Sequence, residues 1–332
     1  MKKITKDKII GKLVWWRIKY FRNSPLYPLL YLSYWHYLIH HNKKHYQENA
    51  TCYYSARPNP GAGIGHQMAN WIAGFWYARY FHLKFAHIQF SNSTWEKLLG
   101  LGENEVTVNE LKEQGFKIRK LPLFNENKKE EIEINKKIIN SYYGEKVIFL
   151  AEQDQFYKDL YKVSNDLKKK FYQSQVRQQD KLIYSNQNFN IAIHVRRGDI
   201  MSNLNDPGLA MRYLRNDYFE KVLRQVVDNI QLSKPIHIYF FSQGTPSDYP
   251  EFSTFQNLHW CLDMNAQYSF LHLVYADLLI TSKSSFSYKP ALLNNGIKVC
   301  PKNFWHGYPN TKDWILCEND GTFNIDKLKA LL

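Results

Sequence analysis

The sequence predicts an α/β protein of two domains, each a parallel sheet wrapped by helices, facing one another across a cleft. Three observations lead there. The chain has 332 residues, more than one hydrophobic core usually serves, so two domains of roughly 150 residues each are expected. A strand at 51–56 enters the glycine-rich run Gly61-Ala62-Gly63-Ile64-Gly65, after which Met68, Trp71, Ile72, Phe75 and Trp76 recur at helical spacing. From Phe189 onward, apolar strands alternate with helical stretches, the pattern of a doubly wound sheet.

In chain order, residues 1–50 form a basic, aromatic segment. Lys2, Lys3, Lys6, Lys8, Lys12, Arg17, Lys19 and Arg22 stand against Asp7 alone up to residue 22. The following apolar stretch, Leu26 to Ile39, contains Pro28 and His36 and falls short of the roughly 20 residues needed to cross a bilayer. Two readings stay open for it. It is either an interfacial anchor, with tryptophan and tyrosine at headgroup level and lysines facing anionic lipid, or an amphipathic segment packed on its own domain. No signal-peptide cleavage pattern follows it.

The first domain, 51–185, opens with the strand–turn–helix unit and continues with a second strand from Phe85 to Phe90. Residues 103–146 are charged and weakly patterned, and are expected as helices and loops facing solvent. The second domain, 186–332, is expected to hold strands at 191–195, 235–241, near 258, 277–281 and 297–300, with helices at 217–230, 266–275 and 285–294. In such a sheet ligands bind at the carboxyl ends of the strands, where His194, Ser242 and Ser282 fall.

Hydrophobic residues make up 44% and charged residues 22%, which excludes a disordered chain. The formal charge of +14 favours an anionic partner: nucleic acid, acidic membrane or a phosphorylated small molecule. The basic residues concentrate at the N-terminus and no nucleic-acid motif is present, so no nucleic-acid partner is expected. Cys52, Cys261, Cys300 and Cys317 are too scattered for a zinc site or a disulfide scaffold, which leans toward a reducing compartment. The sequons at Asn49 and Asn92 keep secretory residence open.

Three motifs carry chemistry. His194-Val195-Arg196-Arg197-Gly198-Asp199 follows the apolar strand Ile191-Ala192-Ile193 directly. An arbitrary Arg-Arg pair is usually solvated, but at the carboxyl end of a central strand two guanidinium forks point into the crevice and suit a diphosphate. Next, strand 277–281 enters Ser282-Lys283-Ser284-Ser285-Phe286, a serine-rich turn opening a helix. Such a turn either offers N–H groups and hydroxyls to an anion or simply caps the helix; beside the arginines it becomes a second phosphate clamp. Finally, Gly61-x-Gly63-x-Gly65-His66-Gln67 lacks both the dinucleotide spacing and the P-loop ending, and reads as a loop for close backbone approach. His66 and Gln67 either face the cleft or serve in capping and packing.

Together these motifs resemble the superfamily of α-1,2-, α-1,6- and protein O-fucosyltransferases, over roughly residues 52–300. The resemblance implies a GT-B type fold with two Rossmann-like domains, the C-terminal one holding a GDP-sugar. It implies that Arg196 and Arg197 hold the GDP-fucose diphosphate and that His194 places the nucleotide. The serine turn is similar to the α-1,2 members, whereas Gly61-x-Gly63-x-Gly65-x-Gln67 is closer to the α-1,6 members, so α-1,2 linkage is favoured with α-1,6 open. Two positions depart: Gln243 stands where members often carry an acid, and Leu204 stands where the α-1,6 members place a glutamate.

The chain has no Asp-x-Asp, so the expectation is inverting transfer without metal or other cofactor, with arginines and helix N-termini stabilising the leaving GDP. The base is sought among Asp206, the first choice, and Asp199, which the arginines engage. Donor-binding candidates are thus His194, Arg196, Arg197, Ser242, Ser282, Ser284, Ser285 and Phe286. Expected partners are the GDP-sugar, a glycan or lipid-linked oligosaccharide, and an anionic membrane surface. The cytoplasmic face of a bacterial membrane is the expected location, with a Golgi membrane as alternative. A non-catalytic, membrane-associated glycan-binding protein of the same fold, or a transferase of another GDP-sugar, are the competing readings.

Overall fold

The computed structural model describes residues 6–40, 51–151 and 157–332; Lys2, Lys3 and the Asn49-Ala50 part of the first sequon lie outside them. The chain begins α1 (Lys6–Phe21), α2 (Leu32–His40), β1 (Tyr53–Ala56), α3 (Ile64–Tyr80), β2 (Lys84–Phe85) and α4 (Ser93–Leu99). It continues α5 (Val108–Glu113), β3 (Lys117–Lys120), α6 (Lys129–Ser141), β4 (Val147–Ala151), α7 (Ser164–Gln173) and β5 (Phe189–His194). Next come α8 (Pro207–Ala210), α9 (Asn216–Asn229), β6 (Ile236–Ser242), β7 (Leu258–Leu262), α10 (Ala266–Tyr275) and β8 (Leu278–Ile280). It ends α11 (Ser285–Leu293), β9 (Ile297–Pro301), β10 (Trp314–Cys317) and α12 (Ile325–Lys329).

By internal contacts these elements form two units. One takes the residues up to Asn59 with Ala69–Gln89 and Asn104–Tyr157; the other takes Pro60–Met68, Phe90–Glu103 and Lys158–Leu332. The glycine-rich loop and residues 158–185 therefore cluster with the second unit, although they precede residue 186 in the chain.

The first unit has a four-stranded sheet, order β2-β1-β4-β3, with every pair parallel. Its second strand is shorter than the sequence suggests. Only Lys84–Phe85 pairs with β1, because at His87 the backbone turns to bond with Val106 and Val108 in the approach to α5. The expectation of solvent-facing helices and loops at 103–146 is also corrected. Leu111, Leu121, Leu123, Phe124 and Ile138 are buried, and α6 turns Ile132, Asn135, Ile138 and Ile139 inward at helical spacing. The edge strand β3, Lys117-Ile118-Arg119-Lys120, carries the charge that hid it.

The second unit has a six-stranded parallel sheet, order β10-β9-β8-β5-β6-β7. Strand alternation sorts β5 into two faces. Ile191, Ile193 and Val195 join Ile238 and Phe240 of β6 in one core, which α9 covers with Phe219, Val222, Leu223 and Val226. Each such buried side chain contributes roughly 1.5–3 kcal/mol of transfer free energy. Ala192 and His194 take the other face. Beyond the last expected strand the sheet gains β10, paired with β9 from Trp314↔Lys298 to Cys317↔Pro301. Each of the two units is thus an α/β layer built on a parallel sheet. All four cysteines are free and buried.

One amide ties helices to sheet here. Asn294, fully buried past the end of α11, donates from Nδ2 to the carbonyls of Leu273 (3.2 Å), Val274 (2.9 Å) and Ala276 (2.8 Å), the turn that delivers β8. Asn294→Ala strands those buried acceptors and should lower unfolding stability by about 2–3 kcal/mol. Urea denaturation checks this, and a loss within the error of the method would show that the turn holds without the amide.

Candidate functional site

The site is assembled at the carboxyl ends of β5, β6, β7 and β8. His194, the last residue of β5, is buried, and its Nδ1 lies 2.9 Å from Ser282 Oγ in the turn after β8. Its ring packs against Phe286 at 5.4 Å between centroids. Burial first, then Arg196 and Arg197, push its pKa down to about 3. His194 is therefore a neutral hydrogen-bonding ring, not a cation.

The two arginines differ. Arg196 is half-buried and pairs with Asp199 at 2.5 Å. Arg197 is 8% exposed, and its partners are neutral: Nη1 donates to the Arg196 carbonyl at 2.7 Å, Nη2 to Asn216 Oδ1 at 2.5 Å, and the guanidinium lies 4.8 Å from the centre of the Tyr213 ring. Among the described residues no carboxylate comes within ion-pair distance of it. Burial draws its pKa below the ordinary arginine value, opposed by Tyr213, Tyr249 and Glu251. Gly198, at φ +72, turns the chain back after the pair, a conformation that penalises any side chain.

At the end of β6, Ser242 Oγ donates to the Val195 carbonyl at 2.8 Å and also meets Tyr249 Oη at 2.6 Å, so it ties the two strand ends together. In the serine turn, Ser284 caps α11 by accepting from the Phe286 N–H at 3.2 Å, while Ser282 and Ser287 engage each other. The hydroxyls of Ser282 and Ser284 thus build the turn, and Ser284 also takes the N–H groups of Phe286, Ser287 and Tyr288, which leaves Ser285 as the donor the turn can offer.

The glycine-rich loop joins this turn. A β-carbon on Gly65 would lie 2.7 Å from the Ser285 carbonyl carbon, so only glycine lets the first turn of α3 touch the serine turn. Gly63 starts α3 by accepting from the His66 N–H at 3.0 Å, and Gly61 is open to solvent. His66 is exposed. Gln67 is buried and clamps the loop, donating to the Ala62 carbonyl and to Ser91 Oγ, each at 2.8 Å.

A pocket of about 270 Å³ is lined by His194, Arg196, Arg197, Ser242, Gln243, Asp263 and Phe286, with neighbouring residues of the same strand ends. Asp206 does not line it. That residue is exposed and caps α8, its Oδ1 accepting from the Gly208 N–H at 2.7 Å. Two larger hollows lie elsewhere, about 520 Å³ beside Arg22 and about 830 Å³ along β10, and neither gathers these motifs. Among the described residues no three His, Cys, Asp or Glu side chains come together at metal-ligand spacing.

Sequence reasoning missed Asp263. It follows β7 with φ +50, strained for a non-glycine residue, and its Oδ2 accepts from the Gly244 N–H at 3.2 Å. An acid directly after a strand, Leu262-Asp263, was the available signal. Asn216 and Tyr213, which hold Arg197, had none.

No family model matches the chain, and no curated protein does. Among solved structures it is similar to the NodZ alpha-1,6-fucosyltransferase co-crystallized with GDP, at 12% identity over 83% of this chain and 97% of that one, TM-score 0.45. It is similar also to POFUT1 in complex with GDP, at 10% identity over 76% of this chain and 99% of that one, TM-score 0.42. A third is a mutant of Arabidopsis thaliana FUT1 in complex with GDP, at 12% identity over 91% of this chain and 81% of that one, TM-score 0.42.

Two outcomes are expected from this geometry. Gly65→Ala forces the loop off the Ser285 backbone and should lower the thermal midpoint by several degrees; an unchanged midpoint would mean that the contact yields freely. His194 binds a proton in the unfolded chain below pH ~6.5 but in the folded chain only near 3. Stability therefore falls as pH drops through that window, by up to about 1.4 kcal/mol per unit. Urea midpoints at several pH values should show a shallower acid slope for His194→Gln, and parallel slopes would contradict the neutral ring.

Proposed function

We propose that this chain is an inverting glycosyltransferase that moves fucose from GDP-fucose to a hydroxyl of a glycan or lipid-linked oligosaccharide. The observation that carries this reading is Arg197, a buried guanidinium on the pocket wall with neutral partners only. A cation buried without a carboxylate costs several kcal/mol. A diphosphate offsets that cost through paired, charge-assisted hydrogen bonds that suit the guanidinium fork. Ser285, at the positive end of α11, offers a second contact to the same anion. Asp263 supports the choice of base, because guanine presents an N–H and an amino group side by side and one carboxylate accepts both.

These positions support an inverting reaction without a metal. As the bond from sugar C1 to phosphate oxygen breaks, its electron pair goes to GDP, where Arg196, Arg197 and the helix N-terminus stabilise it without a metal. The acceptor hydroxyl attacks C1 from the opposite face and gives its proton to a carboxylate. Asp206 is the first choice for that base, since Asp199 is paired with Arg196. The serine turn favours α-1,2 linkage.

Isothermal titration of GDP and GDP-fucose in EDTA tests the reading. The wild type should bind at micromolar concentration, and Arg197→Ala should weaken binding tenfold or more, about 1.4 kcal/mol. Turnover of that variant should fall some hundreds-fold, and Asp206→Asn should lose turnover while keeping GDP affinity. No binding by the wild type would overturn the donor site, and activity lost in EDTA but restored by Mn²⁺ would overturn the metal-independent mechanism.

A further inference from the structure

Helix α2 is amphipathic in the reverse sense from an ordinary surface helix. Its polar side chains face the protein. Ser33 Oγ donates to the Lys120 carbonyl at 2.6 Å, and His36 places Nδ1 at 3.0 Å from Ser141 Oγ and Nε2 at 3.2 Å from Glu145 Oε1. The His36 ring stacks on Tyr142 at 3.7 Å with 10° between planes. Tyr34 packs inward on Tyr27 and Tyr31, but three apolar side chains face away: Leu32 is 83% exposed, Trp35, whose Nε1 donates to the Leu29 carbonyl, 48% and Ile39 73%, at i, i+3 and i+7, one continuous stripe. Ordinary packing would bury these three and expose the serine and histidine.

The neighbouring α1 packs one apolar face inward and leaves a second one outward. Ile18 and Phe21 pack on Tyr27 and Tyr31, and Arg22 forks onto Glu131, so the end of α1 is fixed to the body of its unit. Trp15 and Trp16 stay exposed, with Lys19 4.5 Å above the Trp15 ring. Most of the exposed large hydrophobic side chains among the described residues fall between Leu13 and Ile39.

We infer that α2 with the tryptophan face of α1 is a docking surface for an anionic lipid bilayer, on which it lies in the plane of the headgroups. The apolar stripe accounts for insertion, and the exposed tryptophans are the residues that settle at the interface. The charge selects anionic lipid. Lys12 and Lys19 flank the tryptophans. A second copy seated on the same face would set these lysines against each other. At nine residues α2 is too short to span, and no described helix is long and apolar enough to cross a membrane.

Co-sedimentation of the full chain with vesicles tests this, using phosphatidylcholine alone and phosphatidylcholine mixed three to one with phosphatidylglycerol. The wild type should bind the mixed vesicles and shed them in high salt, and Lys12→Glu with Lys19→Glu should weaken that binding. The triple change Leu32→Ser, Trp35→Ser, Ile39→Ser should weaken it about tenfold or more. GDP titration of the same variants serves as the check on folding, and should that triple variant not fold, Trp35→Ser alone with brominated-lipid quenching of tryptophan fluorescence replaces it. Failure of the wild type to bind, a triple variant that binds like wild type, or self-association that the triple variant abolishes in place of vesicle binding would each overturn the inference. GDP binding that persists in any of these cases leaves the proposed transfer reaction untouched.

Discussion

Strand β5 is hydrogen-bonded on both sides, to β6 from Phe189↔Ile236 through His194↔Phe241 and to β8 from Ile191↔Leu278 through Ile193↔Ile280. Everything in the candidate site depends on that double pairing. Because all its neighbours run parallel, the polar residues that end each strand arrive at one edge of the sheet. Because side chains alternate along it, the same strand places Ile191 and Ile193 in the core under α9 and turns His194 toward the serine turn. A slip of one residue would exchange those faces, so the core that stabilises the unit also sets the register of the site.

The electrostatic character of the pocket follows from its two differently treated arginines and one silenced histidine. Arg196 has its own counter-charge in Asp199, so removing water around it is less costly. Arg197 is held by an amide, a carbonyl and a ring, which fix its orientation while leaving its charge uncompensated. With His194 neutral, the positive potential of the pocket comes from groups that do not titrate near neutrality. The hydroxyls expected to meet a ligand are instead spent holding the walls: Ser242 on Val195, Ser282 on His194, Ser284 on α11.

The strands and helices of the second unit were legible because their burial is two-sided and their periodicity unbroken. Ile191-Ala192-Ile193 and Leu278-Leu279-Ile280 read as strands without help, and the helix over 217–230 proved to run Asn216–Asn229. The first unit was less legible, since its core residues are dispersed among lysines and glutamates. Leu121, Leu123 and Phe124 lie in a loop with no period at all, and β3 is a charged edge whose identity rests on its pairing with β4. The motif arginines were found because two adjacent charges after an apolar strand are conspicuous. That Gly65 reaches Ser285, or that Asp263 joins the arginines from a different strand, was beyond pattern reading, because both depend on segments far apart in sequence.

The four cysteines carry a practical consequence. Burial raises every one of their thiols, Cys52 to about 11 and Cys261 and Cys300 to about 12, with Cys317 raised as well. Thiolate is the reactive species, so these sulfurs resist alkylation, peroxide and mixed-disulfide exchange while the fold is intact. Their count then says little about the redox compartment in which the protein works. Their labelling becomes a gauge of unfolding: a thiol reagent that reacts with the native protein reports an opened unit.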